Sequence, residues 1–378
     1  MHLSYWEKKT YFTEVDFCII GSGIVGLNAA LYLQKKFPQK KILVLERGFL
    51  PYGASTRNAG FACFGSVSEL LNDLKNHSEE EVFTLVAKRW NGLQRLRANI
   101  GDSNMRYEEY GGYEIFTEEQ KELYLQCVDV IESFNRRIKD ITGLSDVYSI
   151  ADERIKDFGF GNVSHLLWNK AEGQIDTGMM MQALLEKVRS MNVHVLNGLN
   201  VERFTDDATH AEIALSEGIT FKAKKLLLAT NGFARQLMPE LNVTPARAQV
   251  LITSPIEELP IKGTFHYDEG YYYFRDVDGR VLLGGGRNLD FEGEETTAFG
   301  LTEQIQSRLE KMLREMILPQ KNFSVEMRWS GIMGLGEKKT TIVKKFSPSI
   351  YCAVRMGGMG IAIGSLIGEE AAEMMGGD

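Results

Sequence analysis

The stretch from 21 to 26, Gly-Ser-Gly-Ile-Val-Gly, constrains this chain more than any other part of it. It directly follows the apolar run VDFCII (15–20) and opens the segment IVGLNAALYLQKKF (24–37). The first run is short, bulky and bounded by glycine, the pattern of a buried strand. In the second, Val25, Ala29 and Leu33 recur at helical spacing on one face, and Pro38 follows its end. KKILVLERG then reads as another buried strand. A β-α-β unit of about 30 residues is predicted, with Glu46 closing it roughly 20 residues past the motif. Gly21 permits the tight turn, Gly23 lets backbone approach a pyrophosphate, and Gly26 lets helix and strand pack closely. Ser22, Ile24 and Val25 complete the turn and the helix N-terminus, whose free N–H groups and positive dipole end suit phosphates. Glu46, with Arg47 beside it, stands where a carboxylate accepts hydrogen bonds from a ribose.

This motif does not separate NAD from FAD. The next segment says more. Residues 47–65, RGFLPYGASTRNAGFACFG, are polar and glycine-rich where a plain NAD-binding unit would run into another simple helix. A loop carrying Ser55, Thr56, Arg57, Asn58, Ala59 and Gly60 can wrap a second, larger ring system and its ribityl chain. It is not a serine-hydrolase elbow, because GASTR lacks the closing glycine of G-x-S-x-G.

Composition narrows the classes. A chain of 378 residues suits two domains rather than one core. Net charge is -8 with no basic tract, which argues against nucleic-acid binding. No apolar run approaches the roughly 18 residues of a membrane helix, and the N-terminus lacks a signal-peptide core. Cys18, Cys63, Cys127 and Cys352 are scattered, as are the six histidines. That pattern fits a reducing cytoplasm and predicts neither a disulfide framework nor a metal site.

GASTRNAG (53–60) resembles the second flavin signature of the FAD-dependent amino acid and amine oxidoreductases of the D-amino acid oxidase superfamily, which includes glycine oxidase, sarcosine oxidases and gamma-glutamylputrescine oxidase. Further stretches match in order: KLLLATNGFA with Ala229 and Thr230, PARAQ, GYYYFRDVDGRVLLGGG, RWSGIMG with Gly331, and AVRMGGMGIAIGSLIGEEAAEMM. The resemblance implies noncovalent FAD and an α/β fold. In it a Rossmann-like FAD-binding domain is interleaved with a smaller α+β substrate domain on a mostly antiparallel sheet. The expected FAD-binding parts are 1–90, 151–245 and 321–378, and the substrate-domain parts are 91–150 and 246–320. The resemblance also places the backbone of Val201 at adenine. The closing turn Gly357, Gly358, Met359, Gly360 and Ile361 would face the flavin ring, a helix N-terminus pointing out of it.

The activity implied is hydride loss from a carbon bearing a neutral amine, with the imine hydrolysed and the flavin reoxidised by oxygen or another acceptor. No catalytic acid–base pair is evident. On the substrate side, YYYFR predicts Tyr271, Tyr273 and Arg275 on one strand face, with Tyr272 and Phe274 on the other. Relatives that grip a carboxylate carry an arginine just after the W-x-G strand, and here Met333 occupies that neighbourhood. Arg275, with Tyr273 beside it, is the substituted candidate, and Arg247 the second. Two other readings stay open from the residues: an NAD-dependent dehydrogenase, which leaves GASTRNAG unexplained, and a non-catalytic flavin-binding protein.

Overall fold

The computed structural model describes residues 2–207 and 209–377. The opening unit forms as its pattern predicts: β1 (Val15–Ile20), α1 (Ile24–Lys36) and β2 (Ile42–Glu46). There follow α2 (Val67–Asp73), α3 (Glu79–Ile100), β3 (Gly112–Phe116), α4 (Lys121–Thr142), β4 (Tyr148–Ile150) and β5 (His165–Asn169). Next come α5 (Thr177–Ser190), β6 (His194–Asn197), β7 (Val201–Asp206), β8 (Ala211–Leu215) and β9 (Thr220–Leu228). The remainder is β10 (Thr244–Thr253), β11 (Thr264–Tyr267), β12 (Tyr272–Val277), β13 (Arg280–Gly285), α6 (Glu303–Met312), β14 (Val325–Leu335), β15 (Ile342–Lys345), β16 (Ile350–Val354) and α7 (Gly360–Gly376).

Two eight-stranded sheets organise the chain. In the first the order is β15-β16-β9-β1-β2-β6, with β8 and β7 continuing from β9. The central pairs β1–β9, β1–β2, β2–β6 and β9–β16 are parallel. Parallel strands buried on both faces explain the near-continuous apolar runs of β1, β2 and β16. Helices α1, α5 and α7 cover one face, where Leu27, Leu31, Leu184, Ile363 and Ile367 join a single core. Gly26 is required there: a Cβ at that position would lie 2.0 Å from the Gly21 carbonyl oxygen. Helix and turn meet backbone to backbone.

The second sheet runs β14-β10-β13-β12-β11-β3-β5-β4, antiparallel throughout except β11–β3. One face is closed by α6 over Phe265, Phe274 and Leu283. The other face turns toward the first sheet. The strand pairs His266–Tyr273–Gly284 and Thr264–Arg275–Leu282 set both His266 and Arg275 on that inner face, as the alternation in YYYFR predicts. Sheet membership moves two expected boundaries. β5 and β14 fall within the expected FAD-binding parts 151–245 and 321–378, yet both pair into the second sheet. β5 pairs with β3 and β4 with β5, whereas β14 runs the full length of β10. Hydrogen-bond partners far away in sequence override local composition. Among the described residues no helix is long and apolar enough to cross a membrane.

Candidate functional site

One cavity of about 880 Å³ lies between the two sheets, opening along the carboxyl ends of β1 and β2. That crevice is the general ligand position of open α/β sheets, and the volume falls within the roughly 300–1,000 Å³ of cofactor sites.

Its first end is made largely of backbone. Gly21, Gly23, Ile24 and Val25 line it, and α1 begins at Gly23 with no side-chain cap of its own. A Cβ at Gly23 would lie 2.9 Å from Ser55 Oγ, so glycine keeps a cradle open between the helix N-terminus and the second loop. Ser55 Oγ accepts from the Ile24 N–H at 2.9 Å. Glu46, buried at the end of β2, accepts from the N–H and hydroxyl of Ser22 (3.2 and 2.9 Å) and from the Gly48 N–H (3.0 Å). Its carboxylate is therefore fixed at the cavity wall with acceptor capacity to spare. Beyond it, Val201, Leu199 and Phe233 form an apolar slot, with the Arg47 guanidinium 4.0 Å over the Phe233 ring.

The GASTRNAG loop forms the middle. Asn58 braces it, donating to the Ala54 and Ser55 carbonyls and accepting from the Gly60 N–H. Arg57 clamps it to β14 by donating to the Ser330 carbonyl at 2.9 Å, and Trp329 Nε1 donates back to the Arg57 carbonyl at 3.1 Å. Facing this loop are Gly331 and Met333 of β14, Ala229 and Thr230, and the turn Gly357–Ile361. The Thr230 hydroxyl is buried without a partner. Helix α7 also starts uncapped, at Met359, so its first amides are free to bind a group in the cavity. An extended ligand with a phosphate pair, a ribose and a flat ring system fits this set of donors and acceptors: two helix N-termini, one carboxylate and an orphaned hydroxyl.

The other end is built from side chains on separate segments: Cys63, Glu69, Arg89, His266, Tyr273 and Arg287. His266 on β11 donates from Nε2 to Glu172 at 2.9 Å, both residues buried. Burial alone would push the His266 pKa down, but Glu172, with Glu69 and Glu114 farther off, holds it up at about 9. Burial pushes Glu114 up to about 7 despite its hydrogen bonds from Ser68. Glu69 is likewise pushed up by burial, but His266, the Ser66 amide, Lys339 and Arg89 outweigh this and lower it. Cys63, Glu172 and His266 bring a sulfur, an oxygen and a nitrogen within 4.8 Å of one another, a spacing no sequence pattern suggested. The imidazole and carboxylate already neutralise each other, and burial, with the nearby carboxylates, keeps the Cys63 thiol well above its ordinary range.

Most predicted cofactor residues line this one cavity, from Gly21 to Ile361. Three do not. Ser22 orients Glu46, Gly26 packs α1, and the Thr56 hydroxyl donates to the Pro51 carbonyl at 2.7 Å. The substrate candidates divide. Tyr273 lines the cavity, edge-on to Phe61. Arg275 is corrected: its Nη1 is committed to the Gly60 and Ile175 carbonyls (3.1 and 2.9 Å), and burial lowers its pKa to about 10. It ties the sheet to the GASTRNAG loop. Arg247 is corrected too, because it forms a two-bond pair with buried Glu294 at 2.9 and 2.7 Å. The polar residues that the sequence reading missed, Glu69, Arg89, Glu172 and His266, carry no shared motif. Only the fold joins them.

Comparison with known proteins agrees with this geometry. The probable oxidoreductase OrdL of Haemophilus influenzae is 23% identical over 98% of this chain and 84% of its own length. The gamma-glutamylputrescine oxidoreductase of Escherichia coli is 23% identical over 96% and 84%. Among solved structures, the L-proline dehydrogenase of P. horikoshii superposes with a TM-score of 0.76 at 16% identity, over 96% of this chain and 94% of that one. The glycine oxidase of Geobacillus kaustophilus gives 0.75 at 18%, over 95% and 94%. The family model described as FAD dependent oxidoreductase matches residues 16–374. With that match over nearly its whole length, the chain belongs to the FAD-dependent oxidoreductases, and the cavity between its sheets is where the cofactor fits.

Proposed function

We propose that this protein oxidises the C–N bond of a small amine or amino acid. The observation that carries this reading is continuity: the cradle at Gly23 and the polar end at His266 and Tyr273 open into the same cavity. FAD, when bound, supplies the acceptor for a hydride leaving the amine-bearing carbon, and water hydrolyses the resulting imine. The chain's own residues bind and orient. The amides of Gly23 and Val25 and the Ser55 hydroxyl would hold the phosphates, and Glu46 the ribose. The open first turn of α7 favours negative charge at the ring-binding segment. Tyr273 and Phe61 wall off the reacting side, excluding water. Relatives named as a glycine oxidase and a gamma-glutamylputrescine oxidoreductase support a nitrogen-bearing substrate.

Oxygen or another oxidant would then reoxidise the cofactor. FAD is held noncovalently in this reading: among the described residues Cys63 is the only cysteine lining the cavity, and its buried thiol is a poor nucleophile. All four cysteines are free and buried, in keeping with a cytoplasmic protein. The net charge of -8, without a basic tract, gives no reason to invoke nucleic acid. The purified protein should be yellow, and acid precipitation should release all its flavin. A screen of amines and amino acids under anaerobic conditions should find compounds that bleach it. A holoprotein that dithionite reduces but no amine or amino acid bleaches would overturn the reading.

A further inference from the structure

We propose that His266, with Glu172 behind it, anchors a substrate carboxylate, so that the enzyme prefers amino acids to plain amines; this deepens the C–N oxidation reading and rests on it. Glu172 is 1% exposed, and its carboxylate accepts three hydrogen bonds: from Asn169 Nδ2 at 3.2 Å, Thr264 Oγ1 at 3.0 Å and His266 Nε2 at 2.9 Å. A buried carboxylate surrounded by donors calls for a cation beside it. His266 is that cation. Its Nε2 is spent on Glu172, while Nδ1 makes no hydrogen bond among the described residues and the ring lines the cavity. An imidazolium in this position offers its second N–H to the ligand space.

A second observation points the same way. Arg89 lines the same end and is 6% exposed. It donates Nη1 to the Phe64 carbonyl at 2.9 Å, and its buried Nε has no partner. Two buried cations thus face a space from which Arg247 and Arg275 are withdrawn by other partners. Against them stand the carboxylates Glu172 and Glu69, so a ligand carrying both a carboxylate and an amine meets groups of the opposite sign for each. Glu69, whose Oε2 accepts from the Ser66 N–H at 3.0 Å, remains an acceptor for the amine end. Glu114 on β3 and Tyr273 on β12 complete the groups that face His266, with Cys63 beside it.

The test uses oxidised holoenzyme and a panel of carboxylates from acetate to benzoate, each paired with its neutral amide. Binding is read from perturbation of the flavin absorption band. Carboxylates should bind at least about tenfold more tightly than their amides, as charge-assisted bonds require. His266→Gln should erase that preference while leaving amide binding within about twofold. If that variant fails to hold FAD, the double variant Glu172→Gln with His266→Gln keeps the buried hydrogen bond without charge and should show the same loss. Glu172 acts through His266 as a positioning residue. Glu172→Gln should therefore keep carboxylate binding at pH 6 but lose it by pH 8, where the wild type retains it.

A preference that survives in the histidine variants, or no carboxylate binding in the wild type, overturns the proposal. So does tightly held stoichiometric zinc in the purified protein, which would make Cys63, Glu172 and His266 a metal site instead. Bleaching by amines without any carboxylate preference would sink this inference alone. His266-dependent carboxylate binding with no bleaching by any amine or amino acid would instead sink the C–N oxidation reading.

Discussion

The two ends of the cavity are built on opposite plans. The cofactor end uses backbone: amides at 23–25 and 360–362, held open by glycines, with Glu46 as its one fixed carboxylate. The far end uses side chains: Glu69 from α2, Arg89 from α3, His266 from β11 and Tyr273 from β12, with Glu172 buried behind. Backbone donors come in fixed positions wherever a strand turns into a helix, so a few adjacent residues can specify them. Side-chain constellations need only the correct direction from each strand or helix. Their members can lie anywhere in the chain.

That contrast can be broken most severely at the cofactor end. Gly26→Val would drive a side chain into the Gly21 carbonyl, 2.0 Å from its Cβ. Because backbone yields less than a side chain, the loss should reach or exceed the roughly 3 kcal/mol upper end for overpacking. Thermal unfolding and flavin content should fall together. A variant that keeps full flavin and an unchanged Tm would remove the close-packed turn from the account.

Arg275 sits at the boundary between the two plans. Although it comes from the substrate sheet, it holds the flavin loop through Gly60. Arg275→Met should cost about 1.5–3 kcal/mol in stability, the range for charged hydrogen bonds. It should lower kcat/KM equally for an amino acid and for its decarboxylated amine. A loss confined to the acid would return Arg275 to the substrate-binding role that its position in YYYFR suggested.

Glu46 tests the cofactor end more gently. Glu46→Ala should weaken FAD binding by about one to two orders of magnitude, or roughly 1.5–3 kcal/mol. The flavin spectrum should hardly change, since Glu46 lies toward the Arg47–Phe233 slot and not beside Gly331. An unaltered dissociation constant would detach this carboxylate from the cofactor.

A pH dependence confined to the side-chain end is the last expectation. His266 titrates at about 9 in the fold against 6.5 in the unfolded chain, so its stabilisation is complete below pH 6.5 and is lost as the pH rises through 9. Glu114, raised to about 7, favours its neutral form in the fold and so costs stability as it ionises between its unfolded value of 4.5 and 7. Both contributions make the protein less stable from pH 5 to pH 9. Urea midpoints at pH 5.5, 7 and 9 would measure it. His266→Gln should flatten the upper part of that profile, and a midpoint that rises with pH would contradict the assignment.

What the sequence determined by itself was the part of the molecule encoded in contiguous patterns. Periodicity and glycine spacing predicted β1, α1 and β2. Helix α4 is local in the same way: Thr117 and Gln120 form a capping box before it, and Cys127 and Phe134, at helical spacing, are buried. GASTRNAG was legible because one loop both braces itself through Asn58 and faces the cofactor space. The tertiary structure decided the rest. It assigned β5 and β14 to the second sheet, because a strand's sheet is set by distant hydrogen-bond partners. It also took Arg247 and Arg275 out of the cavity. An arginine's role depends on which acceptor lies within reach, and Glu294 and Gly60 are separated from them by 47 and 215 positions. Finally it joined His266 to Glu172 across 94 positions, a pairing that exists only once β11 and the turn after β5 meet at the same wall.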